Sequence, residues 1–168
     1  MHSWRITKYN PIFRDKNGFY LKNEWTAFSD IGQLFENKKL AFEEYIKTKT
    51  AYISAILLFF ACNKLSTLMV MHLEKNRPFE DNAFNTKTMA IVFNKIEERL
   101  LIKQDLIEVV ARLVLREAIW CKLESEKMYV HFGWDYYMYI GSNNFCKKQI
   151  TDIEQSGLFV EKCPSPYR

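Results

Sequence analysis

The sequence predicts an α+β fold, with an antiparallel sheet built around residues 128–141 and covered by amphipathic helices. The first observation behind this is the stretch 128–141, MYVHFGWDYYMYIG, two aromatic, β-prone runs joined at Gly133-Trp134-Asp135. Val130 and Phe132 alternate with Tyr129 and His131, and Tyr137 and Tyr139 with Tyr136, Met138 and Ile140, which is the period of two strands around a short turn. The second is solubility: so aromatic a hairpin needs one face covered, and long helical patterns precede it at Phe42–Cys62 and 104–124. The third is order. Helices and strands are partly segregated along the chain, as where helices pack on one face of an antiparallel sheet.

The elements follow in turn. Residues 4–9, WRITKY, alternate and are β-prone, and Pro11 ends them. Asp15-Lys16-Asn17-Gly18 is a turn signal, and 19–21 reads as a short strand closing a first hairpin. Ser29 or Asp30 is suited to cap a short helix over 31–36. In Phe42–Cys62, Glu43 and Glu44 lie in the first turn, where the helix dipole favours carboxylates, and Tyr45, Ile46, Tyr52, Ile53, Ile56, Leu57 and Phe60 make a wide apolar face. Residues 66–73 read as a strand and 76–84, around Pro78, as a loop. Residues 86–100 carry Met89, Val92, Phe93 and Ile96 at helical spacing. The 104–124 pattern places Leu106, Val110, Leu113, Val114, Ala118 and Cys121 on one side, with Glu108–Arg112 as an i,i+4 pair on the other. After the hairpin, Ser142-Asn143-Asn144 cap a helix ending near Ser156, Gly157 stops it, and 158–162 form a last strand.

With 168 residues, one domain over 1–168 is expected, long enough for a sizeable core. A net charge of +4 from well-mixed acids and bases is too weak to indicate nucleic acid by itself. The N-terminus lacks the apolar segment of a signal peptide, and the apolar run 51–62 is too short to span a bilayer, so a buried core helix and a cytoplasmic protein are expected. Cys62, Cys121, Cys146 and Cys163 are widely spaced without a CxxC pair, and reduced core thiols are their expected state.

Catalytic signals are few. No GxSxG, Walker-type loop, HExxH or GxGxxG is present, no metal-ligand spacing stands out, and no cofactor is expected. His131 shares a strand face with Tyr129, and Glu124 or Asp135 lies within reach of the pair; a His–carboxylate couple is a general base, while a strand histidine satisfied by its neighbours is the plainer reading. The hairpin aromatics suit base stacking, yet Lys and Arg are absent from 128–141, which favours packing over a nucleic-acid platform. Two Trp-bearing loops are better candidates for binding a partner. One is 24–36, with Glu24, Trp25, Asp30 and Glu36 and no base; the other is the hairpin tip Trp134-Asp135-Tyr136. Exposed aromatics anchor interfaces, and carboxylates beside them select a cationic partner. The plainer alternative makes Trp25 a core plug and leaves the acids solvated.

Trp4-Arg5-Ile6-Thr7-Lys8-Tyr9-Asn10-Pro11, followed by Arg14-Asp15, Gly18, Tyr20, Glu24-Trp25-Thr26 and Ser29-Asp30-Ile31-Gly32, resembles a family of small bacterial cytoplasmic proteins. Ser156-Gly157-Leu158-Phe159-Val160-Glu161 and Ser165-Pro166-Tyr167 fit the same pattern. The family is associated with immunity to contact-dependent or other polymorphic toxins. The resemblance implies a non-enzymatic immunity protein that binds and blocks a cognate toxin domain, often a nuclease, and it brings no catalytic residues. Inhibitors of basic nucleases commonly carry net negative charge. At +4, this chain must either gather its acids locally, near 24–36, or meet a toxin surface that is not strongly basic. An RNA- or nucleotide-binding protein, or a hydrolase using His131, are the alternatives.

Overall fold

The hairpin predicted at 128–141 forms, and it occupies the middle of the protein's main sheet. The structure, a computed structural model, describes residues 1–75, 78–80 and 85–167. Its elements are β1 (His2–Thr7), β2 (Leu34–Phe35), β3 (Lys38–Lys39), α1 (Phe42–Cys62), β4 (Leu68–Glu74), α2 (Lys87–Lys95), β5 (Leu101–Ile102), α3 (Gln104–Leu115), β6 (Trp120–Glu124), β7 (Met128–Phe132), β8 (Met138–Ser142), α4 (Lys147–Gln155) and β9 (Phe159–Lys162). Seven strands make an antiparallel sheet in the order β5-β4-β6-β7-β8-β1-β9, and β2 and β3 pair separately. The architecture is α+β, as expected. The loop expected over 76–84 lies largely outside the described residues.

Register explains which side chains meet the helices. Val130 pairs with Ile140 and Leu123, Phe132 with Met138, and Trp4 with Ile140, so these side chains share one face and enter the core with α1 and α3. The opposite face carries Tyr129, His131, Tyr139 and Arg5. It too is closed. Every residue of β7 and β8 is buried, where the sequence demanded cover for only one side. The second cover is the C-terminal segment: the Tyr167 ring sits 6.2 Å from Trp120 and 5.9 Å from Tyr139, and Ser165 bonds His131.

Several expectations are corrected. The helix predicted over 104–124 ends at Leu115, and 120–124 is a strand. Glu117 adopts φ 59, a left-handed conformation that breaks the helix, and Cys121 and Leu123 are buried in alternation with Trp120, Lys122 and Glu124. Ala118 and Cys121 satisfy a helical spacing by coincidence. Helix 86–100 is shortened to α2, capped by Thr86 Oγ1 accepting from Met89 N–H at 3.2 Å. No helix forms at 31–36. Gly32 at φ 91 breaks it, and Glu36 and Asn37, at φ 47 and 66, make the tight turn that joins β2 to β3. The first hairpin is reduced to one bridge between Arg14 and Tyr20. The expected caps of the last helix are displaced as well: Cys146 occupies the N-cap of α4, while Ser142 Oγ accepts from Asn144 N–H at 3.1 Å.

The expectation of four reduced thiols is also overturned. Cys62, the last residue of α1, is bonded to Cys146, the residue before α4. Cys121 is a free thiol inside the sheet, and burial pushes its pKa up to about 12. By length and composition α1 is apolar enough to cross a membrane, and 44% of its most apolar window is buried within this fold.

Candidate functional site: the hairpin tip

The connection 133–137 is a turn of unusual composition. Tyr137 N–H donates to Trp134 O at 3.0 Å, and the two central residues, Asp135 and Tyr136, have φ 54 and 62. That is the backbone of a type I′ turn, which Asn and Gly fill readily and tyrosine does not. Tyr136 is held there by its side chain. Its hydroxyl donates to Leu115 O at 3.1 Å, its own carbonyl accepts from Tyr52 Oη at 2.6 Å, and its ring meets Trp25 edge-on at 5.0 Å. With Tyr136 drawn inward, the preceding pair is forced outward: Trp134 is 77% exposed, and Asp135 is exposed beside it. Strained positions held by their surroundings concentrate at functional sites.

A cavity of about 340 Å³ opens beneath this tip. Val114, Leu115, Ile119, Trp120, Phe132 and Met138 give it apolar walls, and Trp134, Asp135, Glu74 and Glu117 also line it. Asp135, Glu74 and Glu117 are exposed residues. Among the described residues, no Lys, Arg or His is in its lining. Apolar walls with carboxylates at the mouth accept an elongated side chain that is hydrocarbon along its length and cationic at its end.

The predicted site residues divide between surface and interior. Trp134 and Asp135 are exposed at the turn. Tyr136 is buried, so its expected role as an exposed contact is corrected to that of the pin holding the turn. The acidic loop 24–36 is corrected more thoroughly. Trp25 is buried at 6% exposure under Lys8, whose Nζ lies 4.3 Å from the ring centroid. Glu24 accepts from that same Lys8 at 3.1 Å and from the Tyr20 hydroxyl. Asp30 accepts from Thr26 N–H at 2.7 Å and Ala27 N–H at 3.0 Å, so its carboxylate closes a local turn. Only Glu36 remains exposed, 3.5 Å from Lys22. The two candidate loops do meet, but through Trp25 and Tyr136 in the interior. Glu74, Glu117 and Trp120 were not singled out from sequence; they come from β4, the end of α3 and β6, and nothing in their spacing joins them.

His131 sits on the closed face of the sheet at 2% exposure. Nδ1 is 2.8 Å from Ser165 Oγ and Nε2 is 3.0 Å from Glu124 Oε1, while the Tyr129 ring stacks on it at 4.3 Å. Glu124, rather than Asp135, is its carboxylate. Ser165 Oγ also accepts from Tyr167 N–H at 3.2 Å, so the histidine fastens the C-terminal segment to the sheet. Comparison of the chain with protein-family models, curated proteins and solved structures gives no match.

Proposed function

We propose that this protein is a non-enzymatic antidote that neutralises a cognate toxin domain, in the cytoplasm, by docking it at the hairpin tip. The observation that carries this reading is the acid-rimmed cavity beneath Trp134 and Asp135, which no base lines among the described residues. A lysine or arginine stem of the toxin lies along Trp120 and Phe132, its charge meets Asp135, Glu74 and Glu117, and Trp134 closes over it. The likeness of the N-terminal motif to toxin-immunity proteins supports the same role. Charge segregation reconciles it with the net charge of +4: acids gather at the tip although the chain as a whole is weakly basic. A nuclease whose active-site surface is basic is the suited partner, and covering that surface excludes its substrate.

The test is titration of any toxin domain encoded beside this gene against wild-type protein and against Trp134→Ala and Asp135→Asn. Both positions are exposed, and asparagine tolerates the left-handed backbone of position 135. One-to-one binding is expected, weakened roughly 30-fold by Trp134→Ala, the effect of losing about 2 kcal/mol at an interface anchor. Alkylation of thiols in intact cells, reading whether Cys62 and Cys146 are bonded there, checks the compartment. Unchanged affinity in both variants defeats the docking site. Salt-sensitive binding of RNA with no protein partner defeats the antidote reading altogether.

A further inference from the structure

The cavity beneath the hairpin tip has two kinds of wall. Leu115, Ile119, Phe132 and Met138 are buried and form an apolar floor. Trp134 is exposed and Trp120 and Tyr167 are half-buried, so these three aromatic side chains line the open end. The Trp120 and Tyr167 rings meet at 61° with 6.2 Å between centroids, a corner rather than a stack. Both are held in place. Trp120 Nε1–H donates to Phe132 O at 2.9 Å, and the Tyr167 ring also packs edge-on against Tyr139 at 5.9 Å. The indole has thereby used its one donor, and what it has left to offer a ligand is ring surface. Glu74, Glu117 and Asp135 are exposed residues of the same lining. Among the described residues no cation pairs with Glu74 or Asp135.

We propose that this cavity is also a binding site for a free quaternary ammonium cation with a short apolar tail. Aromatic faces attract a cation through the ring quadrupole, most strongly where water is excluded. A lysine must keep its N–H groups on acceptors, so its end stays at the mouth among the carboxylates. A quaternary ammonium has no N–H to satisfy and fits between the rings themselves. Its head sits in the corner of Trp120 and Tyr167, Trp134 covers it from outside, and its tail lies on Leu115, Ile119 and Met138. At about 340 Å³ the cavity is at the small end of the range for organic ligands, roughly 300–1,000 Å³. The three carboxylates also set the ligand's net charge. Phosphocholine and glycine betaine carry an anion that they repel, so the ligand is a net cation rather than a zwitterion. The inference uses the cavity proposed for docking a toxin, and a bound ammonium competes with a docking side chain, but it rests on the cavity's geometry and not on the antidote reading.

The experiment is calorimetric titration of the whole protein, with no toxin present, by butyltrimethylammonium, choline, glycine betaine and dimethylbutanol, the uncharged carbon isostere of choline. Saturable one-to-one binding of butyltrimethylammonium is expected, with choline weaker for want of a tail and glycine betaine inert. The uncharged isostere should bind at least fivefold more weakly than choline, because it lacks the attraction between cation and ring. Trp134→Leu keeps an apolar side chain at an exposed position and removes the ring. It should weaken butyltrimethylammonium roughly tenfold, and Asp135→Asn by a smaller factor. Nuclear Overhauser contacts from the N-methyl protons should reach the Trp120 and Tyr167 rings. Absence of saturable binding, equal binding of choline and its uncharged isostere, or contacts only to rings outside the cavity overturns the proposal. Those results leave the antidote reading standing, and a toxin that fails to dock leaves this one standing.

Discussion

Tyr129 lies flat across the backbone of Gly141, its cross-strand partner, and its hydroxyl bonds Ser3 Oγ at 2.6 Å. A methyl group at position 141 would overlap the ring, so Gly141 is required here by space rather than by backbone conformation. Gly141→Ala is therefore expected to lower stability by about 1–3 kcal/mol, the usual cost of overpacking, with the loss read from urea unfolding. A second residue-scale prediction concerns Lys49. Below about pH 8 it is charged in both folded and unfolded chains, and the folded chain bears the cost of that buried charge. As pH rises from about 8 towards 10.5, the folded chain releases the proton while the unfolded chain keeps it, so stability increases. The gain between about pH 7 and 9 is roughly 1 kcal/mol, and Lys49→Met should abolish it. Above about pH 10 the trend reverses. Burial raises the Tyr52 and Tyr136 hydroxyls far above their ordinary 10, so only the unfolded chain ionises them. Denaturant midpoints measured across this range check both limbs.

At the scale of elements, the joint between α1 and α4 is the one the sequence hides best. Cys62 and Cys146 are 84 positions apart, and neither lies in a pairing motif. Closing so long a loop restricts the unfolded chain, and reduction is expected to cost roughly 3–4 kcal/mol. Urea unfolding with and without dithiothreitol measures this, and Cys62→Ala should make the two curves coincide. The central hairpin and α1 were legible because each repeats its own period over many residues. The strand that ends the 104–124 segment is hidden in the sequence because one left-handed residue, Glu117, changes the period from 3.6 to 2 without any glycine or proline to mark it. The candidate site was half legible for a related reason. Trp134 and Asp135 stood out as polar and aromatic residues at a turn, whereas Glu74, Glu117 and Trp120 are brought to the same cavity only by the packing of three elements. Trp25 and Tyr136 looked like surface anchors because sequence shows that an aromatic lies in a loop, not which way it faces.

For the whole molecule, the sheet is a layer enclosed on both sides, by helices on one and by the C-terminal segment on the other. Lys122 Nζ donates to Tyr167 O at 2.5 Å, and Ser3 Oγ donates to Cys163 O at 2.7 Å, so that segment is tied at several points along the sheet. Truncation after Cys163 is expected to bare Trp120, His131 and Tyr139 together. Stability should fall by roughly 3 kcal/mol, from lost hydrogen bonds and lost apolar burial, and binding of a fluorescent hydrophobic dye should rise. The tip cavity includes Tyr167 in its lining, so the same truncation should also weaken binding of the toxin domain proposed to dock there.

The position of β1 has a consequence for biosynthesis. It lies between β8 and β9, antiparallel to both. β1 is therefore synthesised well before either of the strands it pairs with. Until β8 and β9 are made, Trp4 and Ile6 remain open to any other nascent chain with a free strand edge, and a chaperone that shields β1 during synthesis would close that route to aggregation.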